Sequence, residues 1–84
     1  MSWFVYIAQN PLSEYYVGIS NDVEARIIKH NSGKGSKMAR ERGPFTLVYT
    51  SVPYDNKSVA RKREIQVKKW SRAKKEKLIS GEWK

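Results

Sequence analysis

A short apolar strand that passes directly into an amphipathic helix, over residues 14–30, constrains the fold of this chain more than any other stretch. Its first part is aromatic and β-branched around a single glycine, a composition typical of a pleated and half-buried strand. Asn21 or Asp22 can cap the helix that follows, and Glu24 lies three residues after Asn21, as in a capping box. We therefore predict a strand and then a helix that runs from Asp22 to about Asn31.

Alternation along this strand, and along an earlier apolar strand over residues 3–8, sorts the side chains onto two faces of a sheet. The face that we interpret as core carries Val5, Ile7, Tyr15, Val17 and Ile19. The opposite face carries the phenols of Tyr6 and Tyr16 beside Gly18, and a glycine within a strand leaves room for a close approach. These phenols either belong to a functional site or form a cross-strand aromatic pair that only packs.

The rest of the chain predicts one further strand and two further helices. Residues 44–52 are typical of a third strand, and a turn signal separates the first two strands. Helical spacing of apolar residues predicts a helix from about 56 to 70 and another from 72 to 79. We expect one domain over residues 1–84, of the mixed α/β (α+β) class, in which helices flank a small, three-stranded and mainly antiparallel sheet.

Three polar side chains stand out on the predicted helices. Arg26 and His30 are four residues apart, so they are neighbours on one helix face. Glu64 falls at the edge of the apolar face of the second helix, where a carboxylate needs a cation or a hydrogen-bond partner. Taken alone, Glu64 is most simply an ion-pair partner of Arg61 or Lys68. The single histidine excludes a histidine-rich metal site, and the absence of cysteine excludes disulfides and thiolate zinc sites.

A strong excess of positive charge indicates a polyanionic partner. The chain has 17 Lys and Arg residues against 8 Asp and Glu, a net charge of +9 and a pI near 10.0. This charge favours nucleic acid, and the basic run over residues 61–77 is typical either of a phosphate-binding face or of a solvated helix face. A membrane partner is disfavoured, because no apolar run in the sequence is long enough to span a membrane and no segment pairs a broad apolar face with a basic one. The lack of cysteine and of a visible signal peptide favours a cytoplasmic protein.

Several of these residues, in this order and at these intervals, resemble the GIY-YIG nuclease domain. Its two half-motifs stand here as Phe4-Val5-Tyr6 and Tyr16-Val17-Gly18, and its arginine, histidine and glutamate fall on Arg26, His30 and Glu64. Residues 30–37 and 68–74 are similar to stretches common in the short, stand-alone GIY-YIG proteins of bacteria, and the resemblance covers roughly residues 3–79. Phe4 replaces the glycine of the first half-motif. The asparagine that several family nucleases carry after the glutamate helix has no clear counterpart.

The resemblance implies a metal-dependent endonuclease. The set that it implies comprises the catalytic residues Tyr6, Tyr16, Arg26 and His30, the structural Gly18, and Glu64 as ligand of one Mg²⁺ or Mn²⁺ ion. Tyr6 would act as general base, directly or through His30, while Tyr16 positions water or phosphate. A free phenol has a pKa near ~10 and is a poor base at neutral pH, so we expect Arg26 or the metal to lower the pKa of the tyrosine.

The phosphate contacts that we expect lie in two basic segments and comprise Lys34, Lys37, Arg40, Lys68, Lys69, Arg72 and Lys74. DNA is the expected substrate, bound by a monomer with modest and weakly selective affinity, because the sequence shows no additional DNA-binding domain. A protein partner would then supply specificity. Two other functions fit the same residues: a non-catalytic nucleic-acid-binding module that keeps the tyrosine face as a phosphate pocket, and an accessory subunit recruited by a partner.

Overall fold

Three strands and three helices are present in the structure, a computed structural model that describes residues 2–34 and 44–82. The elements follow in the order β1 (Phe4–Gln9), β2 (Tyr15–Ser20), α1 (Val23–Lys29), a π-helical turn (His30–Lys34), β3 (Thr46–Thr50), α2 (Lys57–Lys68) and α3 (Arg72–Ser80). All paired strands are antiparallel, in the order β2-β1-β3, so the first strand is the central one. The expected class and sheet are confirmed. No helix in these two ranges has the length and apolar character that a membrane crossing requires.

Polar side chains that bond to the backbone fix the ends of these elements. Between β1 and β2, Oδ1 of Asn10 accepts hydrogen bonds from the backbone amides of Leu12 and Glu14, at 3.1 and 2.8 Å. These bonds close the turn that joins the first two strands. Asp22, rather than Asn21, caps α1 by accepting from a backbone amide in the first turn. The cap fixes where the helix leaves β2 and therefore which of its side chains face the sheet.

The end of α1 differs from the prediction. The helix ends at Lys29 instead of about Asn31, and the chain continues as the π-helical turn. Here the side-chain amide of Asn31 donates to the carbonyl of Phe45 at 2.8 Å, and its Oδ1 accepts from the backbone amide of Phe45 at 2.7 Å. The side chain thus pairs with the backbone as a strand would, and it holds the end of α1 against the start of β3.

The sheet is buried on both faces. One cluster consists of Val5, Ile7, Val17, Val67 and Leu78, and the other consists of Tyr6, Ala8, Val23 and Phe45. The first cluster confirms the predicted core face. The interpretation of a single core face is wrong, because α1 and Phe45 cover the opposite face and leave Tyr6 only 1% exposed. Glu64 is also more deeply placed than predicted: it is 6% exposed, within the buried face of α2.

Candidate active site

Tyr6 and Gly18 fit together across the β1–β2 pair. They are direct partners in the ladder, and a Cβ atom built on Gly18 would lie 2.6 Å from Oη and 2.7 Å from Cζ of Tyr6. Such distances are far inside van der Waals contact, so any side chain here would displace the ring. The space that we expected beside Gly18 is therefore taken by the phenol of Tyr6. The glycine sets the position of that hydroxyl.

The second phenol lies diagonally across the same strand pair. Tyr16 pairs with Ala8, one step along the same face from Tyr6, and the two tyrosine rings are tilted by 43° with their centroids 6.2 Å apart. The hydroxyl of Tyr6 is hydrogen-bonded to that of Tyr16. The sheet therefore presents two linked hydroxyls on one face.

A polar pocket of about 290 Å³ opens beside the two phenols. It combines residues from the N-terminus, the sheet, α1 and α2: Trp3, Tyr6, Tyr16, Gly18, Ile19, Arg26, Lys57, Arg61, Glu64 and Lys68. Five of the six residues that the resemblance implies as a site thus line one pocket, the exception being His30. The pocket holds four cationic side chains and one carboxylate, a balance that suits an anionic ligand.

One face of α2 supplies most of the charge in this pocket. Lys57, Arg61, Glu64 and Lys68 follow at intervals of four, three and four residues, the spacing of a single helix face. Lys57 and Trp3 are not among the predicted site residues, and they also contact each other, with the ammonium 5.3 Å from the indole centroid. The spacing from Glu64 is the signal that would have found Lys57 and Arg61.

Burial dominates the acidity of Tyr6. Loss of solvent raises the pKa of this phenol far above its usual value, and the neighbouring Tyr16 raises it further. Arg26 acts in the opposite direction but is the weaker influence. Arg26 does lower the pKa of Tyr6, as expected, but burial outweighs it, so the net effect in the protein alone is a raised pKa. At neutral pH, Tyr6 therefore carries its proton.

His30 lies behind Tyr16 instead of lining the pocket. Its ring meets the ring of Tyr16 edge-on at 5.5 Å and that of Phe45 at 6.3 Å. Burial, with Arg26 and Lys29 nearby, lowers the pKa of His30, so the imidazole is neutral at pH 7. Its Nε2 is buried without a hydrogen-bond partner in the described part of the chain. His30 therefore packs against Tyr16 and is not among the residues that line the pocket.

The predicted phosphate contacts fall in different places. Lys68 lines the pocket, and Lys69 is exposed just past the end of α2. Arg72 lies over the ring of Tyr15 at 4.3 Å and donates to the carbonyl of Ser13 at 2.6 Å, so it joins α3 to the β1–β2 turn. The ammonium of Lys74 lies 6.0 Å from the ring centroid of Trp70. The side chain of Lys34, together with Lys37 and Arg40, lies outside the described residues.

Glu64 is the one pocket residue suited to hold a hard cation. Its oxygens lie 3.7 Å from a guanidinium nitrogen of Arg61 and 3.9 Å from the ammonium of Lys68. Within residues 2–34 and 44–82, no group of three or more His, Cys, Asp or Glu residues is arranged so that it could hold a metal ion. A single carboxylate with space beside it fits Mg²⁺, which keeps several of its waters and takes few protein ligands. The residues therefore fit a weakly held, largely hydrated divalent ion.

The fold and this pocket define the class of protein. The model of the GIY-YIG catalytic domain matches residues 2–77, a range that includes every residue lining the pocket. The chain belongs to the GIY-YIG family, and the resemblance drawn from the sequence is confirmed.

Short bacterial proteins are among the relatives that the chain matches over most of their length. A UPF0213 protein of Staphylococcus saprophyticus is 47% identical over 77 residues, which cover 92% of this chain and 93% of the relative. A UPF0213 protein of Vibrio campbellii is 42% identical over 77 residues, which cover 92% of this chain and 73% of the relative. The solution NMR structure of a UPF0213 protein from Bacillus halodurans matches with a TM-score of 0.59 and 46% identity, over 95% of this chain and 84% of that one. This match supports the α+β fold described above.

Proposed function

We propose that this protein is an endonuclease that hydrolyses phosphodiester bonds in DNA and that requires one divalent metal ion. The observation that carries the proposal is the pocket itself, in which two linked phenols, a guanidinium and a buried carboxylate face a common space. Membership of the GIY-YIG family supports the reaction class. The excess of cations over carboxylates in the pocket supports an anionic substrate.

Arg26 and the two tyrosines have separate roles in this proposal. Arg26 reaches the pocket from α1, and its guanidinium can bond to two phosphate oxygens and stabilise the charge that develops on them. Tyr16 is hydrogen-bonded to Tyr6 and positions the phosphate or the attacking water. His30 and Phe45 pack against the ring of Tyr16, so they hold its hydroxyl in place without touching the substrate.

Tyr6 is the proposed general base, and it must first lose its own proton to solvent water in the open pocket. The phenolate then accepts a proton from the attacking water as the water oxygen bonds to phosphorus, and the bond to the ester oxygen breaks; that oxygen leaves as an alkoxide and takes a proton from solvent. Burial opposes this ionisation, because it raises the pKa of Tyr6. Glu64 would hold the divalent ion, whose positive charge would lower the pKa of neighbouring groups. Mg²⁺ and Mn²⁺ both accept carboxylate oxygen and water as ligands.

One observation favours a second function, a non-catalytic nucleic-acid-binding module. Tyr6 is protonated and buried in the protein alone, and Glu64 is already paired with Arg61 and Lys68. A pocket in that state binds phosphate but does not activate water. The two functions therefore differ in one respect. A nuclease needs Tyr6 to ionise when a divalent ion is present, whereas in a binding module Tyr6 stays protonated.

A cleavage assay separates them. Branched, nicked and single-stranded DNA would be incubated with Mg²⁺ or Mn²⁺ and with wild-type protein, Glu64→Gln or Glu24→Gln. Glu24 is a matched control, because it is an exposed glutamate on α1 and does not line the pocket. We expect cleavage by wild type and by Glu24→Gln, and none by Glu64→Gln. Cleavage that persists in Glu64→Gln, or binding without any cleavage by wild type, would reject the proposal.

A further inference from the structure

We propose that Arg61 and Lys68, together with Lys57, form a phosphate-binding subsite on α2, and that DNA phosphate bound there frees Glu64 to take up the metal ion. This inference rests on the proposed function, because it assumes DNA in the pocket and a metal at Glu64. It assigns to the three cations a role beyond general attraction. In the free protein Arg61 and Lys68 pair with the carboxylate, and in the complex all three cations pair with phosphate.

The geometry of the two ion pairs supports this exchange. Arg61 and Lys68 lie on either side of Glu64, one turn before and one turn after it, at 3.7 and 3.9 Å. The two cationic side chains are 55% and 54% exposed, whereas the carboxylate side chain is only 8% exposed. An incoming phosphate can therefore reach both cations without any movement of α2. Ion pairs of long, half-exposed side chains contribute little free energy, so exchanging one anion for another costs little.

The charge in the pocket is sufficient for more than one phosphate. Arg26 approaches from α1, while Lys57, Arg61 and Lys68 approach from α2. Each phosphodiester group carries a single negative charge, and Glu64 offsets only one of the four cations. The scissile phosphate at Arg26 thus leaves the α2 cations available for a neighbouring phosphate of the same strand. The ligand of the subsite is therefore the DNA backbone, with no requirement for a particular base.

Coupling between DNA and metal follows from the shared carboxylate. In the free protein a divalent ion must displace two cations from Glu64 and is repelled by both of them. A phosphate that pairs with Arg61 and Lys68 removes the competition and the repulsion together. Because coupling between two ligands is reciprocal, the metal must tighten DNA binding by the same factor by which DNA tightens metal binding. Couplings of this kind typically amount to about 5–150-fold in affinity.

Metal binding measured with and without DNA tests the subsite directly. The Tyr6→Phe variant would be titrated with Mn²⁺ and the free ion followed by electron paramagnetic resonance, alone and with a single-stranded DNA oligonucleotide. A titration of the DNA alone would be subtracted, and a gel would confirm that the DNA is intact. We expect Mn²⁺ to bind at least about tenfold more tightly in the presence of DNA, within the usual range of coupling. An affinity that DNA leaves unchanged would overturn the inference.

A second experiment removes the positive charges of the subsite one at a time. In the same background, Arg61→Gln or Lys68→Gln should each tighten Mn²⁺ binding to the DNA-free protein by about fivefold or more, the size of one unscreened neighbouring charge in water. Each substitution should also reduce the factor by which DNA tightens Mn²⁺ binding. Lys62→Gln is the control, because Lys62 is exposed on α2 and does not line the pocket. Circular dichroism would confirm that all variants are folded. Indistinguishable behaviour of the three variants would refute the subsite.

The two proposals can fail separately. Mg²⁺-dependent cleavage by wild type, together with a Mn²⁺ affinity that is indifferent to DNA, keeps the nuclease and rejects the phosphate subsite. Coupled binding of Mn²⁺ and DNA without any cleavage rejects the nuclease and keeps the subsite.

Discussion

Gly18→Ala should disturb stability and activity together, because Gly18 holds the place of the Tyr6 ring. The added Cβ would lie 2.6 Å from Oη, 2.7 Å from Cζ and 3.0 Å from Cε1 of Tyr6. These atoms belong to a side chain that is 1% exposed, so any shift of the ring disturbs the packing around it. Either the ring or the β1–β2 pair must shift, and the position of the Tyr6 hydroxyl changes in both cases.

The cost follows from the usual penalty for overpacking a buried site. Extra methyl groups in well-packed interiors typically cost about 1–3 kcal/mol. In a domain of this size that corresponds to a fall in melting temperature of roughly 4–24 °C, at about 4–8 °C per kcal/mol. Urea denaturation followed by circular dichroism measures the change in free energy of unfolding. The single-turnover rate of DNA cleavage should fall with the displaced hydroxyl.

A double-mutant cycle tests whether Tyr6 is the cause. In a Tyr6→Leu background the phenol is gone and an apolar side chain remains, so Gly18→Ala should cost much less than it does in wild type. Equal costs in the two backgrounds would refute the assignment of the contact. Wild-type stability and cleavage in Gly18→Ala would refute the claim that this glycine sets the position of the hydroxyl.

Three further predictions concern charge. Arg26→Ala should lower the single-turnover rate at saturating protein by roughly 100-fold or more, the scale of one preorganised donor, while DNA affinity changes little; an equal loss of affinity would argue for uniform binding. Neutralising Lys68 and Lys69 together should reduce the salt dependence of DNA binding by about two units of slope, and an unchanged slope would show that they do not contact phosphate. The lowered pKa of His30 means that the folded state resists protonation. The contribution of the neutral imidazole to the free energy of unfolding is complete above the pKa of the unfolded state, about 6.5, and is lost as the pH falls below that value. The stability of wild type should therefore decline more steeply than that of His30→Asn between about pH 7 and 5, as denaturation at each pH would show.

Local signals in the sequence predict the elements of this fold well. Alternation identifies the inward side chains Val5, Ile7 and Val17, and polar caps locate the helices to within a few residues. Such features depend on neighbours along the chain, so a single sequence contains them. The spacing that brings Arg26 to the pocket beside the tyrosines is likewise a local feature that a single sequence contains.

The burial of the tyrosine face could not be predicted in this way. It depends on Phe45, which Asn31 ties to the end of α1 across a separation of 14 residues. Tyr6 is buried in the same cluster as Phe45, and its burial raises the pKa of the phenol by more than Arg26 lowers it. The position of His30 likewise depends on the π-helical turn, which no local pattern indicated. Long-range packing thus determines the electrostatics of the site.

The central claim is that the hydroxyl of Tyr6 takes part in hydrolysis of DNA. The most direct measurement is the single-turnover cleavage rate of Tyr6→Phe with Mg²⁺ or Mn²⁺, measured beside DNA affinity. Tyr49→Phe is the control, since burial raises the pKa of that phenol as well but Tyr49 does not line the pocket. We predict that Tyr6→Phe loses roughly 100-fold or more in rate at nearly unchanged affinity, the scale of one lost catalytic group, while Tyr49→Phe retains the wild-type rate. Cleavage by Tyr6→Phe at the wild-type rate would contradict the claim.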